Sequence, residues 1–104
     1  MTVAVTDIAG NLVYFEKNDG TQVASIKIAM TKSRCAVQFK RPSKWFQDQL
    51  ASGNTYVLGL KGSIPSEGGI PLVVDGKIVG AIGVSGGTSQ QDSVAAKAGA
   101  GLIK

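Results

Sequence analysis

Apolar and polar residues alternate from the first positions of the chain. "TVAVTD" and "NLVYFEK" read as two strands, at 2–6 and 12–17, joined by "DIAG", where Asp7 and Gly10 supply the turn chemistry. After the break "NDG" at 18–20 the period lengthens to that of a helix, predicted near 22–40. Val23, Ile26, Met30 and Val37 fall on one of its faces, and Ile28, Cys35 and Phe39 on nearly the opposite one. Two apolar faces imply two partners: the sheet, and another helix or chain. Arg41-Pro42 ends the helix, because a residue before proline is pushed out of the α region. "SKWFQDQL" then predicts a short helix with Ser43 as its cap.

Residues 52–69 are the least regular, rich in Gly and Ser, and read as a long surface loop holding one short strand, "TYVLGL". The clearest local signal follows in "IPLVVDGKIVGAIGVS", where Asp75-Gly76 between apolar runs predicts a type I′ hairpin joining strands 70–75 and 77–85. In the second strand Ile78, Ile82 and Val84 point one way, while Val79, Ala81 and Gly83 point the other. Both faces are apolar, so this strand belongs at the centre of the sheet with a layer on each side. Thr88 and Gln91 form a capping-box pattern opening a small-sided helix over 88–102, with Ala95, Ala96, Ala98 and Ala100 against the sheet. The expectation is one domain, 1–104, folded as a three-layer α-β-α sandwich around an antiparallel sheet.

Composition narrows the chemistry. At 104 residues the chain has room for a single core, and no apolar run is long enough to span a membrane. "MTVAVTDIAGN" shows no secretory pattern, and the lone Cys35 fits a reducing cytosol, so a cytoplasmic protein is expected. The chain has no histidine. That removes the usual acid–base group, the commonest zinc ligand and the usual proximal ligand of haem iron, and no metal site is expected. Asp7, Asp75 and Asp92 read as turn and helix-start residues, and Ser85 has no base in view, which leaves no catalytic constellation.

Two features bear on binding. Lys27, Lys32, Arg34, Lys40, Arg41 and Lys44 account for much of the net charge of +4. They read either as a solvated helix edge or as a docking site for an anion; no nucleic-acid module matches them. "VGAIGVSGGTSQQD" invites comparison with phosphate loops. Its glycine spacing misses the dinucleotide fingerprint, and no lysine follows Gly87 as a Walker loop requires. Gly80 and Gly83 let a helix or ligand approach the strand, while Gly86-Gly87 turns the chain. The helix start at Gly86, Gly87 and Thr88, with Lys27 and Arg34, is the candidate anion-binding set; the alternative is that these glycines serve packing and turning alone.

"GGIPLVVDGKIVGAIGVSGGTSQQD" (68–92), preceded by "VAVTDIAGNLVYFEKNDG" (3–20), resembles the GlcG/HbpS-type family of small haem-binding or haem-degrading domains. The C-terminal domain of PduO-type cobalamin adenosyltransferases shares the pattern. The resemblance covers essentially the whole chain and implies a profilin-like fold, higher oligomers and haem as a cofactor. Family members usually carry a helix ahead of the first strand, which can supply the haem-ligating histidine; here Met1 stands almost at that strand. The Gly-Gly-Thr turn at 86–88 carries over residue by residue, whereas an iron ligand does not. Cys35, Met30, Tyr14 and Tyr56 have the chemistry for iron, but each reads more simply as core, strand or loop.

Two functions follow as expectations. One is a ligand-binding domain for haem, a related tetrapyrrole or another organic anion. The other is an accessory or assembly protein beside metabolic enzymes of diol, glycerol or glycolate use; an enzyme is the weakest reading. A homo-oligomer is expected in either case, because the apolar faces outnumber the elements available to cover them.

Overall fold

In a computed structural model, which describes residues 1–18, 20 and 22–101, the chain forms four strands and three α-helices. Asp19 of the turn at 18–20 and Leu102 of the last predicted helix lie outside the described residues. The strands are β1 (Thr2–Asp7), β2 (Leu12–Lys17), β3 (Gly69–Val74) and β4 (Lys77–Ser85), and all neighbours are antiparallel in the order β2-β1-β4-β3. Helix α1 (Ala24–Phe39) covers one face of the sheet and α3 (Ser89–Ala100) the other, while α2 (Lys44–Ala51) packs on the outer side of α1. β4 is central, as its two apolar faces predict.

Local chemistry explains the turns. Asp7 accepts hydrogen bonds at Oδ1 from the N–H groups of Ala9 (3.0 Å) and Asn11 (2.9 Å), which closes the β1–β2 turn. The Asn11 N–H, foremost among these donors, holds the Asp7 carboxyl below its ordinary range. At the second hairpin Asp75 (φ 51°) and Gly76 (φ 76°) are both left-handed, as a type I′ turn demands. Lys40, also left-handed at φ 54°, closes α1 two residues before Pro42.

The interior of the α1 layer differs from the periodicity reading. The stripe facing the sheet is not Val23, Ile26 and Met30 but the small residues Ser25, Ala29, Ser33 and Ala36; Val23 is 76 % exposed. Opposite them stand Ala4, Ala81 and Gly83, so at Ala29 and Ser33 helix and sheet approach too closely for branched side chains, whereas Val37 of the predicted face does pack against Ala81. A Cβ on Gly83 would collide with the Ala29 carbonyl oxygen. The polar members of the stripe are satisfied. Ser33 Oγ donates to the Ala81 carbonyl (2.9 Å) and pairs with Thr6 Oγ1 (2.8 Å), while Ser25 Oγ donates to the Gln22 carbonyl and pairs with Thr2 Oγ1, both at 2.6 Å. Of the second apolar set, Cys35 is buried with Phe46 and Val57 and Phe39 packs beside them, whereas Ile28 is exposed.

Three further details correct the sequence reading. Ile78 shares the α1 side with Ala81, Ala36 and Val37 instead of following Ile82 and Val84 toward Ala96 of α3. The cause is a bulge: Leu72 pairs with Gly80 but Val73 with Ile78, so Val79 is an extra residue that resets the alternation. "TYVLG" is a 3-10 turn (Thr55–Gly59), not a strand, and Val57 anchors the loop in the core. Ser43 precedes α2 without capping it. Its hydroxyl donates to the Ser66 carbonyl (2.7 Å) and accepts from the Gly69 N–H (2.9 Å), tying α2 to the start of β3.

Candidate functional site

β4 ends at Ser85, and Gly86 (φ 112°) turns the chain toward α3. Thr88 then caps α3 as its sequence pattern predicts: its Oγ1 accepts from the Gln91 N–H (3.1 Å), and Gln91 Oε1 accepts from the Thr88 N–H (3.0 Å). A cavity of about 720 Å³ opens at this turn. Ser85, Gly86 and Gly87 form one wall, Ser25 and Ile28 of α1 another, and Asn18, Gly20 and Gln22 close it from the end of β2, with Met1 at its edge. Met1 also borders a shallow groove of about 510 Å³ along α3, where Val94, Ala95 and Ala98 present apolar surface. A polar cavity thus adjoins an apolar groove.

Two of the turn's own N–H groups, those of Gly87 and Thr88, are engaged within the protein. Gly87 N–H donates to Asp92 Oδ1 (2.9 Å) and Thr88 N–H to Gln91, so neither is free to cradle a ligand while the cap stands. Gly87 is also tightly enclosed: a Cβ there would meet Gln91 Oε1 at 2.8 Å and Met1 at 3.0 Å.

The structure separates the predicted cations from this turn and from one another. Arg34 lies at the other end of the sheet, with its Nε donating to the Gly10 carbonyl in the β1–β2 turn (3.2 Å); β1 runs from Thr2 opposite Ser85 to Asp7 opposite Gly80. Lys27 is exposed on α1 beside Ile28 but does not line the cavity. Lys44 pairs with Asp48 (2.7 Å), whose hydrogen bond and charge push the Lys44 pKa up, and Arg41 stacks 4.3 Å over the Trp45 ring. The basic segment is therefore not one patch.

Lys32 is the member that sequence reasoning missed. It is 1 % exposed, and its Nζ donates to Asp92 Oδ2 and to the Val84 carbonyl, both at 3.0 Å. Its side chain passes the start of β3 to join the two helical layers. Gly68 (φ 128°) makes room, since a Cβ there would stand 3.0 Å from Lys32 Nζ. Asp92 in turn holds the Gly87 N–H, so this buried ion pair fixes the wall of the cavity. The sequence carried one signal for it, an acid in the first turn of a helix; that its cation would come from the opposite face of the sheet was not legible.

None of the candidate iron donors enters the cavity. Cys35 is fully buried, and burial pushes its thiol up, keeping it protonated. Tyr14 and Tyr56 are more than half exposed, on β2 and on the 3-10 turn. Among the described residues no group of three or more His, Cys, Asp or Glu could hold a metal ion, and no helix is long and apolar enough to cross a membrane.

Comparison with known proteins adds to this geometry. Residues 1–101 match the family model described as haem degrading protein HbpS-like. Protein GlcG of Escherichia coli K12 is 35 % identical over 85 residues, which are 82 % of this chain and 63 % of GlcG; the chain thus spans somewhat under two thirds of that relative. The crystal structure of a double mutant of Streptomyces reticuli HbpS superposes with a TM-score of 0.87 at 31 % identity, covering 99 % of this chain and 70 % of that one. The crystal structure of a PduOC:heme complex has the same TM-score at 23 % identity, covering 99 % and 78 %, and shares the fold.

Proposed function

Because the chain belongs to the HbpS-like family, we propose that it is a ligand-binding domain for a tetrapyrrole or a similar organic anion, held at the glycine turn. The observation that carries this reading is the cavity of about 720 Å³, a size suited to a small-molecule ligand, next to the apolar groove on α3. A flat ring with acidic edges needs both kinds of surface. Ser25, Asn18 and Gln22 offer hydrogen bonds to polar substituents, and Val94, Ala95 and Ala98 offer apolar contact to the ring.

The residues present do not fit a histidine-ligated haem iron. The chain has no histidine, and Cys35 is sealed in the core with its thiol protonated. Binding therefore works through the periphery of the ring, and no step runs through the metal. The expected result of titrating the protein with hemin and with iron-free protoporphyrin is saturable binding of both with affinities within about tenfold, a difference of 1.4 kcal/mol. Absorbance near the Soret band and quenching of Trp45 would report it. Failure of both to bind overturns the proposal; hemin binding far more tightly than protoporphyrin would reveal an iron ligand and overturn the peripheral mode.

The domain works as a homo-oligomer in the cytoplasm, supported by the exposed apolar side chains of β2 and by its free, buried cysteine. The same β2 surface supports a second reading, an accessory protein that assembles with a metabolic enzyme.

A further inference from the structure

A second cavity, of about 260 Å³, lies at the β3 edge of the sheet, between the start of α2 and the middle of α3. It shares no described lining residue with the cavity at the glycine turn. Pro42, Trp45 and Ile70 give it an apolar wall, and Ser93 and Lys97 of α3 supply its polar side. Ser93 stands out chemically. It is 3 % exposed, and its Oγ has no hydrogen-bond partner among the described residues. A serine inside a helix ordinarily points to solvent or donates back to the carbonyl one turn earlier. Ser93 does neither. A buried hydroxyl left unbonded is costly, and alanine would avoid the cost, as Ala96 does on the same buried side of α3.

We propose that this cavity binds a small carboxylate with a flat apolar body, of the chemical class of benzoate, held by Ser93 and Lys97. The two residues stand four positions apart and so share one face of α3. A carboxylate there accepts from the Ser93 hydroxyl with one oxygen and turns the other toward the Lys97 ammonium at the mouth. Lys97 is exposed and makes no salt bridge among the described residues, so its charge is available. Lys44, the other cation of the lining, already pairs with Asp48 at 2.7 Å. Those two charges cancel, and Lys97 leaves the lining net positive.

The apolar wall decides between kinds of anion. Trp45 is pinned: its ring meets Phe46 edge-on at 4.9 Å, and the Arg41 guanidinium lies 4.3 Å from its centroid. A ring held from two sides offers a flat ligand a fixed surface and loses little freedom on binding. Inorganic phosphate would gain nothing from that wall. Several waters would match the volume, but Pro42 and Ile70 offer water no hydrogen bond and Trp45 only its single N–H. At about 260 Å³ the cavity falls just below the usual range for drug-sized ligands. It is too small for a tetrapyrrole, which makes this a site distinct from the one proposed at the glycine turn.

Titration of the isotopically labelled full chain with benzoate, followed by amide chemical shifts, tests the site. Saturable shifts should appear at 42–48, at Ile70 and at 93–97, and not at 85–88. Ser93→Ala should weaken binding about tenfold. Lys97→Gln should weaken it about threefold and remove most of its salt dependence. Benzyl alcohol, which keeps the ring without the charge, should bind at least about tenfold more weakly than benzoate. Absence of saturable shifts at these residues, or shifts confined to 85–88, overturns the site. Full affinity in either variant, or equal binding of benzyl alcohol, overturns the carboxylate contacts, and phosphate binding as well as benzoate overturns the apolar body. If Ser93→Ala fails to fold, the exposed Lys97→Gln and the benzyl alcohol comparison decide. None of these results bears on tetrapyrrole binding at the glycine turn, which is read from other residues.

Discussion

Lys32 shows how far one residue can depart from its neighbourhood in sequence. It sits in a basic run, yet its ammonium is buried against Asp92 and the Val84 carbonyl. A buried pair gains little net stability from its own attraction, because both charges have lost their water. Breaking it is costly, since the remaining charge stays buried without compensation. Lys32→Met should destabilise the protein by about 3–5 kcal/mol, measured as a lowered urea midpoint. Among the described residues, the Asp92 carboxylate would keep the Gly87 N–H as its partner. The double variant Lys32→Met with Asp92→Leu should recover much of the loss. If the single variant is neutral, the pair does not hold the two layers together. The exposed Lys44–Asp48 pair is a useful contrast: its geometry is good, but solvent screens it.

At the scale of elements, the decisive contact is the approach of α1 to β4. Three strand residues facing the helix are Ala4, Ala81 and Gly83, and the helix answers with Ser25, Ala29 and Ser33. Gly83 is required there because any Cβ would strike the Ala29 carbonyl oxygen, which is backbone and cannot rotate away. Gly83→Ala should therefore cost about 1–3 kcal/mol through overpacking, although alanine favours a strand more than glycine does. A thermal midpoint at or above that of the wild type would show that the helix shifts freely. Gly76→Ala in the hairpin provides the comparison, since a Cβ there meets nothing within 4 Å and only its left-handed φ of 76° resists.

For the whole molecule, the sheet is covered unevenly. α1 contacts β1, β3 and β4, and α3 contacts β3 and β4, which leaves β2 as the open margin. Opening should follow that asymmetry. Amide exchange across 12–17 should be fast in dilute solution and slow progressively as concentration rises, while 80–85 should stay protected throughout. Equal protection of β2 at every concentration would count against its exposed side chains as a contact surface in the proposed homo-oligomer. The groove along α3 and the cavity at Gly86 share Met1, so the apolar and polar parts of the proposed ligand site are continuous.

Much of this was written in local sequence. The four strands, the left-handed turn at Asp75-Gly76, the capping box at Thr88 and Gln91 and the central place of β4 follow from periodicity and turn chemistry, which act over a few residues. The resemblance carried by 68–92 placed the chain in its family. Tertiary structure decided what local patterns cannot encode. The bulge at Val79 moved Ile78 to the other face because register is set by the neighbouring strand. Closeness to the sheet at Gly83 selected serine and alanine over most of the larger apolar face of α1, of which Val37 alone packs against Ala81 among the described residues. Lys32 met Asp92, and Arg34 parted from the glycine turn, because charges pair by distance in space, sixty residues apart for the first pair.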